Sequence, residues 1–210
     1  MVEVSVTAAS APTSDADLAA ILAEPGFARH PLDHMVKAVY ADGIWSEPQI
    51  VPYAPLTFDP ATSVLHYGQS VFEGLKAYRQ PDGAVALFRP ERNAARFNRS
   101  AVRLAMPELP EEYFVHGIEA LVKLEQRWVP DHPERSLYIR PFMLGTDIAL
   151  GVRPSNEYVY LVIASPAGAY FSRGVQPVMV WISDDYVRAA PGGTGEAKCA
   201  GNYAASLIAQ

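Results

Sequence analysis

Lys198 has the surroundings best suited to chemistry. It ends the stretch Gly192-Gly193-Thr194-Gly195-Glu196-Ala197-Lys198, and Gly201-Asn202-Tyr203 opens a helical pattern just beyond it. A lysine amine between flexible glycine backbone and an apolar helix start can lose solvation and become available as a nucleophile. A surface lysine in a turn accounts for the same residues, and composition alone favours that plainer reading. The stretch is not a phosphate loop, which needs Gly directly before the Lys and a hydroxyl residue after it. Ala197 and Cys199 hold those positions. It is not a dinucleotide fingerprint either, because Lys198 takes the place of the third glycine.

Other reactive residue types carry less. Of five histidines, only His30 and His34 lie four residues apart, and Pro31 between them spoils a regular helix. No Cys, Asp or Glu completes a zinc-spaced ligand set, so no metal site is expected. Gly68-Gln69-Ser70-Val71-Phe72 approaches a nucleophile elbow, but Phe72 replaces the second glycine that the sharp turn needs. The acidic doublets Glu111-Glu112 and Asp184-Asp185 read as solvated or capping groups.

The whole chain bounds these readings. Its 210 residues carry 17 Lys and Arg against 23 Asp and Glu, a formal charge of -6, with 50% hydrophobic residues. That balance fits a folded globular protein and excludes an intrinsically disordered one. A pI of 5.3 gives no global electrostatic reason to expect nucleic acid or an anionic membrane as partner. The single cysteine, Cys199, excludes an internal disulfide framework and suits a reducing cytoplasm. The first twenty residues lack a signal-peptide pattern. The longest apolar run, Tyr158 to Ala164, is far shorter than the roughly 20 residues a bilayer requires.

The elements that must hold Lys198 follow from periodicity and punctuation. Residues 1–14 predict a mobile arm, and Ser14 caps a short helix from Asp15 that stops at Pro25-Gly26. Asp42-Gly43 joins strands Met35 to Tyr40 and Ile44 to Val51 in a hairpin. A second hairpin runs from Phe72 to Arg79 and back through Ala84 to Arg89. Pro90 suits a first helical position, and a helix is expected over Glu91 to Met106. Glu111 to Val129 is the clearest amphipathic helix. Strands Leu137 to Leu144 and Tyr158 to Ala164 follow, the second apolar on both faces and therefore central. The Gly- and Pro-rich residues 166–177 predict a linker between a domain over 1–165 and the start of another over 178–210. Within the latter, Val178 to Ile182 reads as a strand and Ala200 to Gln210 as a helix. The chain stops while still apolar and helical, so that domain is expected to be truncated.

At the level of motifs, GGTGEAKCAGNYAASLIAQ resembles the cofactor-lysine region of branched-chain amino-acid aminotransferases, of the fold type IV pyridoxal-phosphate group. Other stretches match in the family's order: LHYGQSVFEGLKAY (65–78), LFRPERNAARFNRSAVRL (87–104), SLYIRP (136–141), ALGV (149–152) and GAYF (168–171). They span most of residues 34–210, and five matches in order are far more specific than one. The resemblance implies an α/β (α+β) fold, with a complete small N-terminal domain and the truncated start of a larger one.

Carried over residue by residue, Lys198 matches the lysine that forms the Schiff base with pyridoxal 5'-phosphate. Arg96 matches the arginine that grips the cofactor phosphate, while Arg92, Arg99 and Arg103 read as exposed helix arginines. Tyr203 matches the tyrosine near the cofactor ring, and Asn202 beside it supports the turn. Phe72, Tyr138 and Tyr170 match pocket-lining residues, and Arg140 matches an arginine at the substrate end that can order a tyrosine or help attract a dicarboxylate. Tyr67 and Val152 match positions that reach into the partner subunit's site, which implies a homodimer. Cys199 replaces a bulky apolar residue of the relatives.

The implied reaction is ping-pong transamination, in which Leu, Ile or Val gives its amine to the cofactor and 2-oxoglutarate leaves as glutamate. Two alternatives stay open: a D-amino-acid aminotransferase or aminodeoxychorismate lyase of the same fold, or a non-catalytic fragment. The pyridine-nitrogen partner and remaining phosphate ligands of the family lie beyond this stretch, so the 210 residues alone are expected to be inactive.

Overall fold

The computed structural model describes residues 3–169 and 176–209. Its strands are β1 (Ser5–Val6), β2 (His34–Ala41), β3 (Ile44–Trp45), β4 (Gln49–Pro52), β5 (Ser70–Phe72), β6 (Leu75–Arg79), β7 (Val85–Leu87), β8 (Ser136–Gly145) and β9 (Tyr158–Ala167). Its α-helices are α1 (Asp15–Ala23), α2 (Ser63–Tyr67), α3 (Pro90–Arg103), α4 (Glu111–Leu124) and α5 (Ala200–Ala204). The strands form one sheet ordered β1-β4-β2-β9-β8-β6-β7, with β3 on β2 and β5 on β8. Every pairing among the described residues is antiparallel except β1 with β4.

β9 is central, paired over five residues with β2 and over ten with β8. That placement follows from its two apolar faces. Tyr158, Tyr160, Val162 and Ala164 join the core under α3 and α4. Phe97 and Phe114, one from each helix, meet ring to ring at 5.5 Å, and Tyr160 packs 5.6 Å from Phe97. Burying side chains of this size stabilises the fold by roughly 1.5–3 kcal/mol each. The opposite sheet face buries Met35, Val159 and Leu161 with Val51, Phe142, Leu144 and Ile163 packed beside them.

Local punctuation acts as expected at several points. Ser14 caps α1 by accepting the Asp17 amide, Pro90 opens α3, and Asp42 and Gly43 take positive φ between β2 and β3. Arg89 also takes positive φ, at 51°, and turns the chain from β7 into α3.

Several boundaries differ from expectation. Residues 3–14 are tied down and are no loose arm: β1 pairs with β4, Ala9 donates to His34 Nε2, and Thr13 donates twice to Asp33. Pro48, which cannot donate to a ladder, divides the second hairpin arm into β3 and β4. The strand expected from Phe72 to Arg79 breaks at Glu73-Gly74. α3 ends at Arg103, three residues early, where the Leu104 and Ala105 amides turn back onto Ala101 and Val102. α4 ends at Leu124 and a 3-10 turn, Gln126–Trp128, replaces its last turn, because Glu125 points inward to His34. β9 continues through Ala167, which pairs with Ser136 and bridges Phe27, so the linker cannot begin at residue 166. Val178 to Ile182 forms no strand and lies exposed; a strand needs a neighbour to complete its hydrogen bonds. The final helix shortens to α5 plus a 3-10 turn at Leu207–Ala209.

Candidate active site

The glycine-rich stretch is folded so that Lys198 is presented from three sides. Its carbonyl accepts the Phe72 amide at 3.0 Å, and its own amide donates to Ser100 Oγ at 2.9 Å. Cys199 next to it is buried and bridges Val71 of β5. Buried Asn202 closes the loop, donating to the carbonyls of Thr194 and Ala197 at 2.7 Å each. Arg103 holds the loop's other end, donating to the carbonyls of Gly192 and Gly193 at 2.9 Å each. Gly195 is needed there, since a Cβ would stand 2.5 Å from that of Ala189.

The Lys198 amine points along an aromatic wall. Nζ donates to the Tyr203 hydroxyl at 2.8 Å and lies 4.4 Å from the Phe72 ring centroid. The Phe72 and Tyr203 rings are 4.8 Å apart. α5 starts two residues after Lys198, and its first turn brings Tyr203 back over Nζ.

Arg96 lies on α3, four residues before Ser100, so the two are separated by roughly 6 Å of helix rise. Its Nε and Nη2 donate to the two oxygens of Glu73 at 2.6 and 2.7 Å. Glu73 is wholly buried, whereas the Arg96 side chain is 48% exposed. The hydrogen bond to Glu73 raises the Arg96 pKa, with burial opposing it and the nearby charges of Glu73 and Tyr203 adding to it. The guanidinium is therefore a fixed cation with one edge free.

At the other end of Phe72, Arg140 stands 4.6 Å over its ring and donates to the Tyr138 hydroxyl at 2.6 and 3.2 Å. Tyr138 and Arg140 are two apart on β8 and share a face. With Ala28, Arg29, Tyr53 and Ser165 they line a groove of about 380 Å³. Gly74 permits this arrangement, because a Cβ there would lie 2.7 Å from the Tyr138 hydroxyl.

Lys198, Tyr203, Phe72, Arg140 and Tyr138 thus form one chain of contacts, and Arg96 adjoins it through α3. Tyr67 and Val152 stand apart. They are exposed, Tyr67 donates to the Leu150 carbonyl, and both line a groove of about 490 Å³ with Gln69 and Cys199. Tyr170 lies outside the described residues. His34 is structural: Nδ1 meets Glu125 Oε1 and Nε2 accepts the Ala9 amide.

No family model matches the chain. A "Probable branched-chain-amino-acid aminotransferase" of Streptomyces coelicolor is 62% identical over 201 residues, covering 95% of this chain and 56% of its own length. A "Branched-chain-amino-acid aminotransferase" of Mycolicibacterium smegmatis is 57% identical over 210 residues, covering 99% and 57%. The chain belongs to the branched-chain aminotransferase family. It spans about half the length of the curated relatives it matches. A solved T.th. "Branched-Chain Amino Acid Aminotransferase with Pyridoxamine 5'-phosphate" superposes with a TM-score of 0.62 at 30% identity, over 82% of this chain and 54% of that one. The fold is accordingly the type IV α/β arrangement of these aminotransferases.

Within this aminotransferase-family chain, Phe27, Glu73, Gly74 and Ser100 belong to the site without having been expected there, and Arg103, expected as an exposed helix arginine, holds the glycine-rich loop. Phe27 packs 5.2 Å from the Tyr138 ring. Glu73 had a visible signal, a single acidic residue inside an apolar strand pattern. Arg103 did not, since an arginine at a helix end normally faces water.

Proposed function

We propose that the complete protein carrying this chain is a pyridoxal-phosphate-dependent transaminase. It would exchange the amino group between Leu, Ile or Val and 2-oxoglutarate in a ping-pong reaction. The observation that carries the reading is the Lys198 amine, held between the Tyr203 hydroxyl and the Phe72 ring, beside an arginine fork with a free edge. A primary amine, a phenol, an aromatic wall and a guanidinium are the donor set a phosphorylated pyridine aldehyde requires. When bound, that cofactor supplies the electron sink for the bond at the amino-acid Cα.

The roles of this chain's residues follow from their chemistry. Lys198 Nζ is the point of covalent attachment, and once released it is the base that moves the proton at Cα. Tyr203, hydrogen-bonded to Nζ, orients it and offers its hydroxyl to the ring oxygen. Arg96 presents its remaining N–H groups to the phosphate. Phe72 and Tyr138 form the apolar wall on which a branched side chain is buried, favouring it by roughly 1.5–3 kcal/mol. Arg140 fixes Tyr138 and stands ready for the second carboxylate of 2-oxoglutarate.

Residues through Ala167 form the first domain and residues 178–210 belong to a second. The exposed apolar residues Leu65, Tyr67, Ile148, Leu150 and Val152 support a homodimer in which Tyr67 and Val152 face the partner's site. A lone buried cysteine is in keeping with a cytoplasmic setting.

Borohydride reduction of the native protein followed by peptide mass spectrometry tests the assignment. A pyridoxyl group on Lys198 is expected, and an unmodified Lys198 overturns it. A panel of donors, with L-Leu, L-Ile and L-Val against D-alanine and aminodeoxychorismate, separates this reaction from others of the fold.

A further inference from the structure

We propose that Glu73 is a positioning residue that sets the direction of the Arg96 donor fork, and through it the affinity for the cofactor phosphate. The proposal rests on the reading of Arg96 given above.

A carboxylate with no exposure at all must be satisfied by its neighbours or be strongly destabilising. Glu73 is saturated. It accepts from Arg96 Nε and Nη2, from Asn93 Nδ2 at 2.9 Å and from the Gly74 amide at 3.2 Å. Its backbone is fixed as well, because the Glu73 amide donates to the Pro141 carbonyl at 2.8 Å. The carboxylate is therefore a rigid template anchored to β8.

A guanidinium carries five N–H donors in a planar fork. Glu73 takes one from Nε and one from Nη2, all on the inner edge. The remaining three, two on Nη1 and one on Nη2, have no acceptor among the described residues, and their plane is set by the Glu73 carboxylate plane. An arginine otherwise loses much rotamer freedom on binding an anion. Here that ordering is complete beforehand, which is the condition for tight phosphate binding. Lysine at position 96 could not be oriented in this way.

The test uses the complete protein stripped of cofactor and titrated with two probes, pyridoxal 5'-phosphate and unphosphorylated pyridoxal. Glu73→Gln is isosteric but sets an amide NH2 against donors that now meet an oxygen, so one fork bond is lost. It should weaken pyridoxal phosphate about tenfold, equivalent to ~1.4 kcal/mol, and leave pyridoxal unchanged. Arg96→Ala should weaken pyridoxal phosphate further, again sparing pyridoxal. The double variant should be no weaker than Arg96→Ala alone, because Glu73 acts only through Arg96. If Glu73→Gln does not fold, Asn93→Ala at the half-buried edge of the cluster should shift pyridoxal phosphate in the same direction by a smaller factor.

Equal losses for both probes, additive losses in the double variant, or no loss in Glu73→Gln while Arg96→Ala is impaired would each overturn the proposal and leave the function intact. If Arg96→Ala itself fails to separate the two probes, Arg96 is not the phosphate grip, and both readings fall.

Discussion

The backbone amide of Lys198 donates to the hydroxyl of Ser100 at 2.9 Å, across 98 residues of sequence. Ser100 in turn donates to the Arg96 carbonyl at 3.0 Å. The reactive lysine and the arginine assigned to the phosphate are therefore hung from one turn of α3. Ser100→Ala leaves the Lys198 amide without its partner and should cost about 1–3 kcal/mol. Amide hydrogen exchange at Lys198 and Cys199 should accelerate more than exchange in β8 or β9. Uniform acceleration would show that Ser100 serves the core in general.

Tyr203→Phe removes the only side-chain hydrogen bond made by the Lys198 amine among the described residues. Covalent attachment at Lys198 should survive, while kcat falls about tenfold or more. Lys198→Ala should abolish both attachment and turnover. A Tyr203→Phe enzyme with unaltered kcat would remove Tyr203 from the proton pathway.

Gly74→Ala drives a methyl group to 2.7 Å from the Tyr138 hydroxyl. Tyr138 must shift away from Arg140, at a cost of typically about 1–3 kcal/mol for overpacking. The expected signature is a raised KM for branched-chain donors with Lys198 still modified by borohydride. An unchanged KM would mean that Tyr138 does not border the bound side chain.

Asp33 predicts a pH dependence of stability. Burial works against its carboxylate, but hydrogen bonds from Thr13, Arg127 and Trp128 outweigh it and hold the pKa below the ordinary 3.8. The native state then binds fewer protons than the unfolded one in this range. The contribution is fully present above that ordinary value and is lost as pH falls through the lower native one. Urea midpoints measured from about pH 6 down to about pH 2 should fall more steeply in the wild type than in Asp33→Asn. The variant should also be less stable at neutral pH, since an amide NH2 then faces Arg127 and Trp128 in place of the oxygen that accepts from both. Parallel curves would refute the assignment.

What the sequence revealed was mostly what local chemistry decides. Pro90, Ser14 and Asp42-Gly43 act through their own backbone angles and near neighbours, so each marked its element without knowledge of the fold. The resemblance around Lys198 and Phe72 likewise located residues that the fold brings into contact. Legibility stopped where a partner lies far along the chain. Nothing near Ser5-Val6 announces that Gln49 and Ile50 will pair with it. The inward turn of Glu125, which ends α4, depends on His34 from β2. Glu73, Ser100 and Arg103 are polar residues whose meaning comes only from what stands opposite. Val178 to Ile182 shows the converse: the apolar pattern is present, but no neighbouring strand meets it among the described residues.

That run has a practical side. Val178, Met179, Val180, Trp181 and Ile182 are each at least 67% exposed, uncharged and rich in β-formers. Such a segment is a template on which identical chains stack, with no gatekeeping charge inside it. Preparations of these 210 residues by themselves should become turbid with rising concentration and warmth. Val180→Lys should delay that clouding without disturbing the sheet built from β1 to β9.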